Sequence, residues 1–310
     1  MRCESLLWVL VAVCLSAWGC KSEKRTEASA AEPAKTAAEP AKTAAEPAKT
    51  AEPAKGEGQA AETEQPPAGM VAIPAGKFWM GCKPDQDSEC AADEKPGRRV
   101  HLDEYYIDRT EVTVARYTDC VQAGKCTPAK TDKSNENMYN WGKPNRKAHP
   151  INGVSWHQAS AYCAWAGKRL PTEAEWEKAA RGTDGRKYPW GKEFKESLMF
   201  MLNQSEGADD PPYEATWPVC VMDKKVKNAH GLCDMGGNLW EWVADYYAKD
   251  YYETAPEKNP PGPASGKSRV KRGGSFNNEP KTFRASGRSY DDPGGSFIDD
   301  GFRCAWSAAR

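Results

Sequence analysis

The densest group of residues able to do chemistry lies at positions 231–242, which read Gly-Leu-Cys-Asp-Met-Gly-Gly-Asn-Leu-Trp-Glu-Trp. Two acids, Asp234 and Glu241, stand here among three glycines. Carboxylates are hard oxygen donors, and glycines adopt backbone angles that can turn carbonyl oxygens towards one point. The stretch therefore predicts a loop that wraps a calcium ion. A tight turn leading into a strand with two core tryptophans is the competing interpretation, and local composition does not separate the two.

Cysteines form the second group, and eight of the eleven lie beyond residue 68. An even number is typical of disulfides when a chain is exported. Cys82 and Cys90 are close enough in sequence to clip a local loop, and so are Cys120 and Cys126. Zinc is the alternative, but no C-x-x-C pair occurs and the four histidines are scattered, so disulfides are favoured.

The amino terminus predicts export. Arg2 precedes an apolar run over residues 6–18 that is short for a membrane span, and Gly19 stands directly before Cys20 as in a bacterial lipobox. We predict a lipoprotein-type signal peptide over residues 1–20, with Cys20 lipidated and the protein tethered to the cell envelope. Lys21 follows the cysteine instead of an aspartate, which favours the outer membrane.

Residues 21–68 predict a disordered linker. A seven-residue Ala/Glu/Pro/Lys/Thr repeat begins at positions 31, 38 and 45. Each repeat contains a proline and no apolar residue larger than alanine, so it has nothing to bury and no stable helix. Residues 69–310 remain, enough for one domain with its own core. The formal net charge of −1 speaks against a nucleic-acid partner.

The elements that must position these residues can be partly read from the domain sequence. Capping boxes at Ser155 and Thr172 predict two helices that end at Gly167 and Gly182, and a weaker helix follows Thr113. Residues 70–81 predict a hairpin, and residues 100–107 a single strand. After Gly182 the sequence predicts short strands and long loops. Twelve tryptophans and twelve tyrosines favour a loop-rich fold held by aromatic anchors.

Eight motifs in register resemble the sulfatase-modifying factor family, whose founding members are formylglycine-generating enzymes. The resemblance covers residues 69–310 and implies an α+β, irregular, loop-rich fold related to C-type lectins, with little regular secondary structure. The motifs are Phe78-Trp79-Met80-Gly81, Thr110-Glu111-Val112-Thr113, Val154-Ser155-Trp156, the run 169–177, Pro189-Trp190-Gly191, the run 231–242, Arg272-Gly273-Gly274-Ser275-Phe276 and Gly301-Phe302-Arg303-Cys304-Ala305.

The resemblance implies structural calcium and a disulfide pattern. Its calcium loop matches Asp234, Glu241 and the carbonyls of Gly237 and Leu239. A second calcium site is implied after Pro-Trp-Gly, with candidate ligands Asn203, Gln204 and either Asp209 or Asp210. The family pairs the cysteine of the first long helix with the one in Gly-Phe-Arg-Cys. The implied bond is Cys163–Cys304, which leaves Cys220 and Cys233 to pair.

The sequence departs from the family where the family's chemistry takes place. Formylglycine generation uses copper(I) held by two thiolates shortly after Arg-Gly-Gly-Ser, and soft thiolates suit that ion. No cysteine occurs between Cys233 and Cys304, and Ala180 and Ala285 occupy the positions of a further family disulfide. Some family members are iron enzymes, but the four histidines do not have the spacing of their clusters. Neither a copper nor an iron site is identifiable.

Three functions are compatible with this sequence, and whether the protein is an enzyme stays open. The first is a binding or accessory module for an unknown peptide, protein or glycan, with a groove wall formed by Trp240, Ser275, Phe276, Asn277, Asn278, Arg284 and Arg288. The second is an oxidoreductase of the same family that acts on a peptide or small molecule, with Ser275 and Arg284 as catalytic candidates. The third is a structural envelope protein. A purely structural pairing of Arg284 and Arg288 with Asp291 and Asp292 is the competing interpretation of the two arginines.

Overall fold

The computed structural model describes residues 65–194, 216–221 and 228–308. The chain divides into two units, Met1–Gln59 and Ala60–Arg310, and all described residues belong to the second. The predicted signal peptide with Cys20 and the second set of calcium ligands, Asn203, Gln204 and Asp210, lie outside the described residues. No helix in the described part of the chain is long and apolar enough to cross a bilayer.

Short strands form three small sheets. The strands are β1 (Met70–Ile73), β2 (Gly76–Met80), β3 (Arg98–Leu102), β4 (Tyr105–Asp108), β5 (Trp240–Tyr246), β6 (Arg269–Arg272), β7 (Arg288–Asp291), β8 (Asp300–Gly301) and β9 (Ala305–Trp306). Their orders are β1-β4-β9, β2-β3 and β7-β6-β5-β8. All pairs are antiparallel except the parallel pair of β5 and β8. This mixed α/β architecture with few helices confirms the predicted fold class.

The hairpin predicted over residues 70–81 is wrong. β1 and β2 follow each other in sequence but lie in different sheets, because β1 pairs with β4 and β2 with β3. The turn between them is held by a helix instead, since Lys178 Nζ donates to the carbonyls of Pro74 and Gly76 at 2.6 and 3.1 Å. The strand predicted over 100–107 is likewise two strands of two sheets, β3 and β4.

The three predicted helices are confirmed. They are α1 (Val114–Gln122), α2 (Trp156–Trp165) and α3 (Glu173–Arg181), and a short α4 (Tyr251–Thr254) comes later in the chain. Both expected capping boxes form, at Ser155 and at Thr172, so each first turn has its backbone N–H groups satisfied locally. α3 ends at Gly182, whose φ of 69° is a conformation that glycine adopts without strain.

The described residues form two large core clusters, one on each side of β5, besides a small one of Leu239 and Phe276. One contains Trp176 of α3 with apolar residues of β1 to β4, and the other contains Trp242 with α1, α2 and Phe302. Both tryptophans are fully buried. Each also satisfies its indole N–H: Trp176 donates to Glu241 at 2.9 Å, and Trp242 donates to the carbonyl of Val154 at 3.0 Å. The expected aromatic anchors therefore hold the sheets together.

All four disulfides form as predicted: Cys82–Cys90, Cys120–Cys126, Cys163–Cys304 and Cys220–Cys233. Three of them close loops inside one region of the chain. Cys163–Cys304 instead joins α2 to the carboxyl-terminal strands across a separation of 141 residues. The zinc alternative is thereby excluded for these eight cysteines.

The two kinds of disulfide should differ in their contribution to stability. Loop-closure entropy predicts about 5 kcal/mol for a bond that closes about 140 residues and about 2 kcal/mol for one that closes a handful. We expect Cys163→Ala/Cys304→Ala to lower the free energy of unfolding more than Cys120→Ala/Cys126→Ala does. Urea unfolding of the two double variants measures this, and an equal loss in both would contradict the prediction.

Candidate functional site

The loop at 231–242 is built around Asn238, a residue that the sequence did not single out. Asn238 has a φ of 64°, and its amide lies at the centre of several contacts. Its Nδ2 donates to Glu111 at 2.9 Å, and its Oδ1 accepts from the backbone N–H of Trp217 at 3.1 Å. Its carbonyl accepts from Phe276 N at 3.0 Å. One side chain and its carbonyl thus join the loop to three other segments.

The predicted calcium ligands Asp234 and Glu241 are brought together with a third acid, Glu111. Burial raises the pKa of Glu111 well above its usual value, and the charges of Asp234 and Glu241 raise it further. One carboxylate oxygen of Glu111, Oε1, is buried without a hydrogen-bond partner. A buried acid beside two others, with an unused oxygen, fits a calcium ion as countercharge. Glu111 belongs to the motif Thr110-Glu111-Val112-Thr113, but its neighbours in sequence do not indicate a role in binding a metal.

Glu241 has protein partners on both of its carboxylate oxygens. Arg303 donates to Oε1 and to Oε2, each at 2.7 Å, and Trp176 Nε1 donates to Oε2 at 2.9 Å. The Asp234 carboxylate accepts from the backbone N–H of Cys220 at 2.8 Å. These contacts leave Glu111, whose Oε1 has no hydrogen-bond partner, better placed than Glu241 to offer a lone pair. The carbonyls of Gly237 and Leu239 lie in the same loop and stay predicted ligands.

A different cluster meets simple distance criteria for a metal but does not fit one. Among the described residues, only Cys82, Asp87 and Glu94 bring three ligand atoms within 4.8 Å of one another. Cys82 is in a disulfide, and Arg284 donates to Asp87 at 2.9 Å and to Glu94 at 2.6 Å. The guanidinium already supplies the positive charge that a cation would bring.

Ser275 is fully buried at the end of β6. Its Oγ lies 2.6 Å from Asn278 Oδ1 and 3.0 Å from Asp299 Oδ2. In the described part of the chain, no hydrogen bond joins a histidine to this serine. Asp300, which follows Asp299 in the chain, is also buried. Burial raises the pKa of Asp300 to about 7, although Lys271 donates to its carboxylate at 2.8 Å. Ser275 therefore orders the turn after β6 and is not an exposed nucleophile.

Arg284 and Arg288 are structural, as the competing interpretation held, but the predicted partners are wrong. Arg284 forms a two-bond pair with Glu94 and a third bond with Asp87. Arg288 pairs with Glu173 of α3 at 2.7 Å. Asp291 binds Lys271 at 2.6 Å instead. Both arginine side chains are buried, as are Trp240 and Phe276, so the predicted groove wall exposes chiefly Asn277 and Asn278.

The comparisons with known proteins agree with this geometry. A family profile described as the sulfatase-modifying factor enzyme 1-like domain matches residues 56–308. The chain belongs to this family. A formylglycine-generating enzyme of Streptomyces coelicolor is 36% identical over an alignment of 286 positions that covers 76% of this chain and 88% of that protein. A mouse protein named inactive C-alpha-formylglycine-generating enzyme 2 is 32% identical and covers 79% of this chain and 88% of its own.

Solved structures show the same fold. PvdO from Pseudomonas aeruginosa superimposes with a TM-score of 0.60 at 27% identity and covers 76% of this chain and 93% of its own. Treponema denticola variable protein 1 gives a TM-score of 0.56 at 25% identity, with 76% and 94% covered. The relatives of this chain therefore include proteins named formylglycine-generating enzyme and one named inactive.

The domain does not fit the copper site that the resemblance implies for formylglycine generation. All eight cysteines beyond residue 68 are in disulfides, so the domain offers no thiolate. The segment after Arg-Gly-Gly-Ser carries Asn277, Asn278 and the helical turn Pro280–Phe283 in its place. A disulfide sulfur is a poor copper(I) ligand compared with a thiolate.

The structural role of Arg284 can be tested directly. Arg284→Gln leaves Asp87 and Glu94 buried without their countercharge, so we expect a loss of about 3–5 kcal/mol in the free energy of unfolding. Arg186→Gln is the matched control, because its partner Asp184 is half exposed and such pairs contribute less than about 1 kcal/mol. Denaturant unfolding of both variants measures the difference. Equal, small losses would show that the Arg284 cluster is not needed for folding.

Proposed function

We propose that this protein is an exported, membrane-tethered member of the family that does not generate formylglycine and works as a calcium-stabilised binding or accessory module. The observation that carries the proposal is the state of the cysteines. The copper chemistry requires two thiolates, and every cysteine of the domain is consumed in a disulfide. The mouse relative named inactive supports the idea that the scaffold can persist without this activity.

The tethering part of the proposal comes from the amino-terminal sequence. A lipid on Cys20 would anchor the chain in the cell envelope, with the outer membrane favoured by Lys21. The linker of residues 21–68 would then hold the domain about 40 Å from the bilayer. A module on such a spacer can reach a partner in the surrounding envelope while it stays attached.

An oxidoreductase is the second candidate. Identity of 36% to the Streptomyces coelicolor formylglycine-generating enzyme favours it. The burial of Ser275 and Arg284 weighs against it, because the two residues that would carry chemistry contact protein groups and not an open cleft. An oxidoreductase would therefore need a catalytic group other than Ser275 and Arg284.

An assay with a sulfatase-type peptide separates the binding module from the oxidoreductase. The full chain is incubated with copper(I), oxygen and a peptide that contains the sulfatase-type Cys-x-Pro-x-Arg motif. Mass spectrometry follows the conversion of the peptide cysteine to an aldehyde. We expect no conversion above a protein-free control, while the Streptomyces coelicolor enzyme converts the same peptide. Conversion by this protein would refute the non-catalytic proposal.

Calcium should stabilise the folded protein if the proposed site binds it. Saturation at about a hundred times the dissociation constant should add about 2.7 kcal/mol to the free energy of unfolding. Glu111→Gln should abolish this gain and should also make the calcium-free protein more stable, because a buried carboxylate next to two acids is replaced by a neutral amide. Asp234→Ala should abolish the gain as well.

Thermal melts with calcium and with a chelator measure these effects. Glu279→Gln is the control, since Glu279 is exposed and its loss should leave the response to calcium unchanged. A melting temperature of the unmodified protein that does not change on chelation would remove calcium from the proposal.

A further inference from the structure

A groove of about 600 Å³ lies on the outer face of the β2–β3 sheet, and neither Ser275 nor any residue of 231–242 lines it. We call it the basic groove. Its volume is in the range of sites that hold a small ligand. The residues that line it are Lys77, Pro96, Arg98, Arg99, His101, Tyr252, Glu253, Glu257 and Lys258.

The floor of the basic groove is fixed by backbone hydrogen bonds. Side chains alternate along β2 and β3, so that Phe78 and Val100 face the core while Lys77 and His101 face outwards as a cross-strand pair. The segment 257–259 runs beside β3: His101 N donates to Glu257 O at 2.7 Å, and Asn259 N donates to His101 O at 2.9 Å. The cations of the floor therefore stand on paired strands and not on a mobile loop.

Lysines and arginines outnumber acids in the basic groove by four to two, although one of the four, Lys258, lies 3.4 Å from Asp103. Among the described residues, no carboxylate lies within 4.0 Å of the charged groups of Lys77, Arg98 or Arg99. Arg98 is nevertheless oriented, because its Nη1 donates to the carbonyl of Tyr252 at 3.0 Å. Guanidinium groups that are held in place and lack an acid partner are suited to bind an anionic oxygen group.

Two acids that also line the basic groove narrow the class of ligand. Glu253 and Glu257 would repel a ligand that is anionic throughout, such as a polyphosphate, while Lys77, Arg98 and Arg99 would repel a cation. A ligand with one anionic group and several hydroxyl groups satisfies both kinds of side chain, since hydroxyls donate to carboxylates. We propose that the basic groove binds an acidic sugar, a short saccharide that carries a carboxylate or a sulfate.

The basic groove is separate from the Ser275 region. Ser275 follows β6 at the Trp240 end of β5, where Glu241 pairs with Arg272. Tyr252 and Glu253 belong to α4, which follows the other end of β5. A strand of seven residues is about 20 Å long. Binding here does not depend on whether the Ser275 region has any activity, so this proposal and the peptide assay can fail independently.

The test is isothermal titration calorimetry of the full chain with four probes: a digalacturonate, a sulfated disaccharide, a neutral disaccharide and inorganic triphosphate. We expect binding of the carboxylated probe, the sulfated probe or both, and the one that binds identifies the source of the anionic group. Each acidic probe that binds should have a dissociation constant at least tenfold lower than that of the neutral disaccharide. Tighter binding of triphosphate than of either acidic sugar would overturn the proposed ligand class, and no binding by any probe would overturn the site.

Arg99→Gln is the decisive variant because Arg99 is exposed and its loss should not affect folding. We expect the dissociation constant for the acidic sugar to be about tenfold larger, because one charge-assisted hydrogen bond is lost. Arg116→Gln on α1 is the matched control, since Arg116 is an exposed arginine outside the basic groove. Equal affinity of the two variants would place the sugar elsewhere. Thermal melts of both confirm that any loss is not due to unfolding.

Discussion

The fold depends on a helix whose charged residues are buried. Glu173 and Glu177 of α3 lie in the interior, where Glu177 accepts from Arg272 at 2.6 Å and Glu173 from Arg288 at 2.7 Å. Charges in such a place are tolerated only when each meets its partner, and removing one partner costs about 3–5 kcal/mol. The pairs therefore select one orientation of α3 against β6 and β7. Ser275 follows shortly after β6, and β5 beside it begins within the loop at 231–242. The same pairs therefore position both ends of the candidate site.

A second buried pair connects that frame to the carboxyl terminus. Arg303 binds both oxygens of Glu241, and the next residue, Cys304, is bonded to Cys163 of α2. The last strands are thus fixed by a covalent bond and an ion pair on adjacent residues. Glu241 therefore has a structural role through Arg303 and Trp176 whether or not it also binds a metal. The negative charge that a calcium ion would neutralise then belongs chiefly to Glu111 and Asp234, which approach from α1's leading segment and from the loop.

The sequence predicted what depends on neighbouring residues and failed where the partners are distant. The capping boxes at Ser155 and Thr172 act over three residues, and both helices form as predicted. The prediction of a hairpin over 70–81 was wrong because β1 pairs with β4 and β2 pairs with β3, in two different sheets. Arg284 was paired with acids nearby in sequence, yet it binds Glu94, which is 190 residues away. Glu111 was overlooked for the same reason, since only the fold brings it to Asn238, 127 residues further on.

The disulfides and buried ion pairs explain how the scaffold can exist without the family's copper chemistry. The ion pairs and the disulfide described above for α3, β6 and the carboxyl terminus do not involve Asn277 or Asn278, which lie shortly after Arg-Gly-Gly-Ser, where the resemblance implies the copper thiolates. That segment is instead closed by Ser275, Asn278 and a short helical turn. The exposed side chains of this segment, such as Asn277 and Glu279, can therefore change without loss of the fold, whereas Phe283 is fully buried against Trp190. By the same reasoning the basic groove, which stands on the separate β2–β3 sheet, can recognise a ligand whether or not the Ser275 region does anything. A binding function in that groove needs only that the β2–β3 sheet remain in place, and α3 holds this sheet because Arg181 donates to the carbonyl of Trp79 at 2.9 Å.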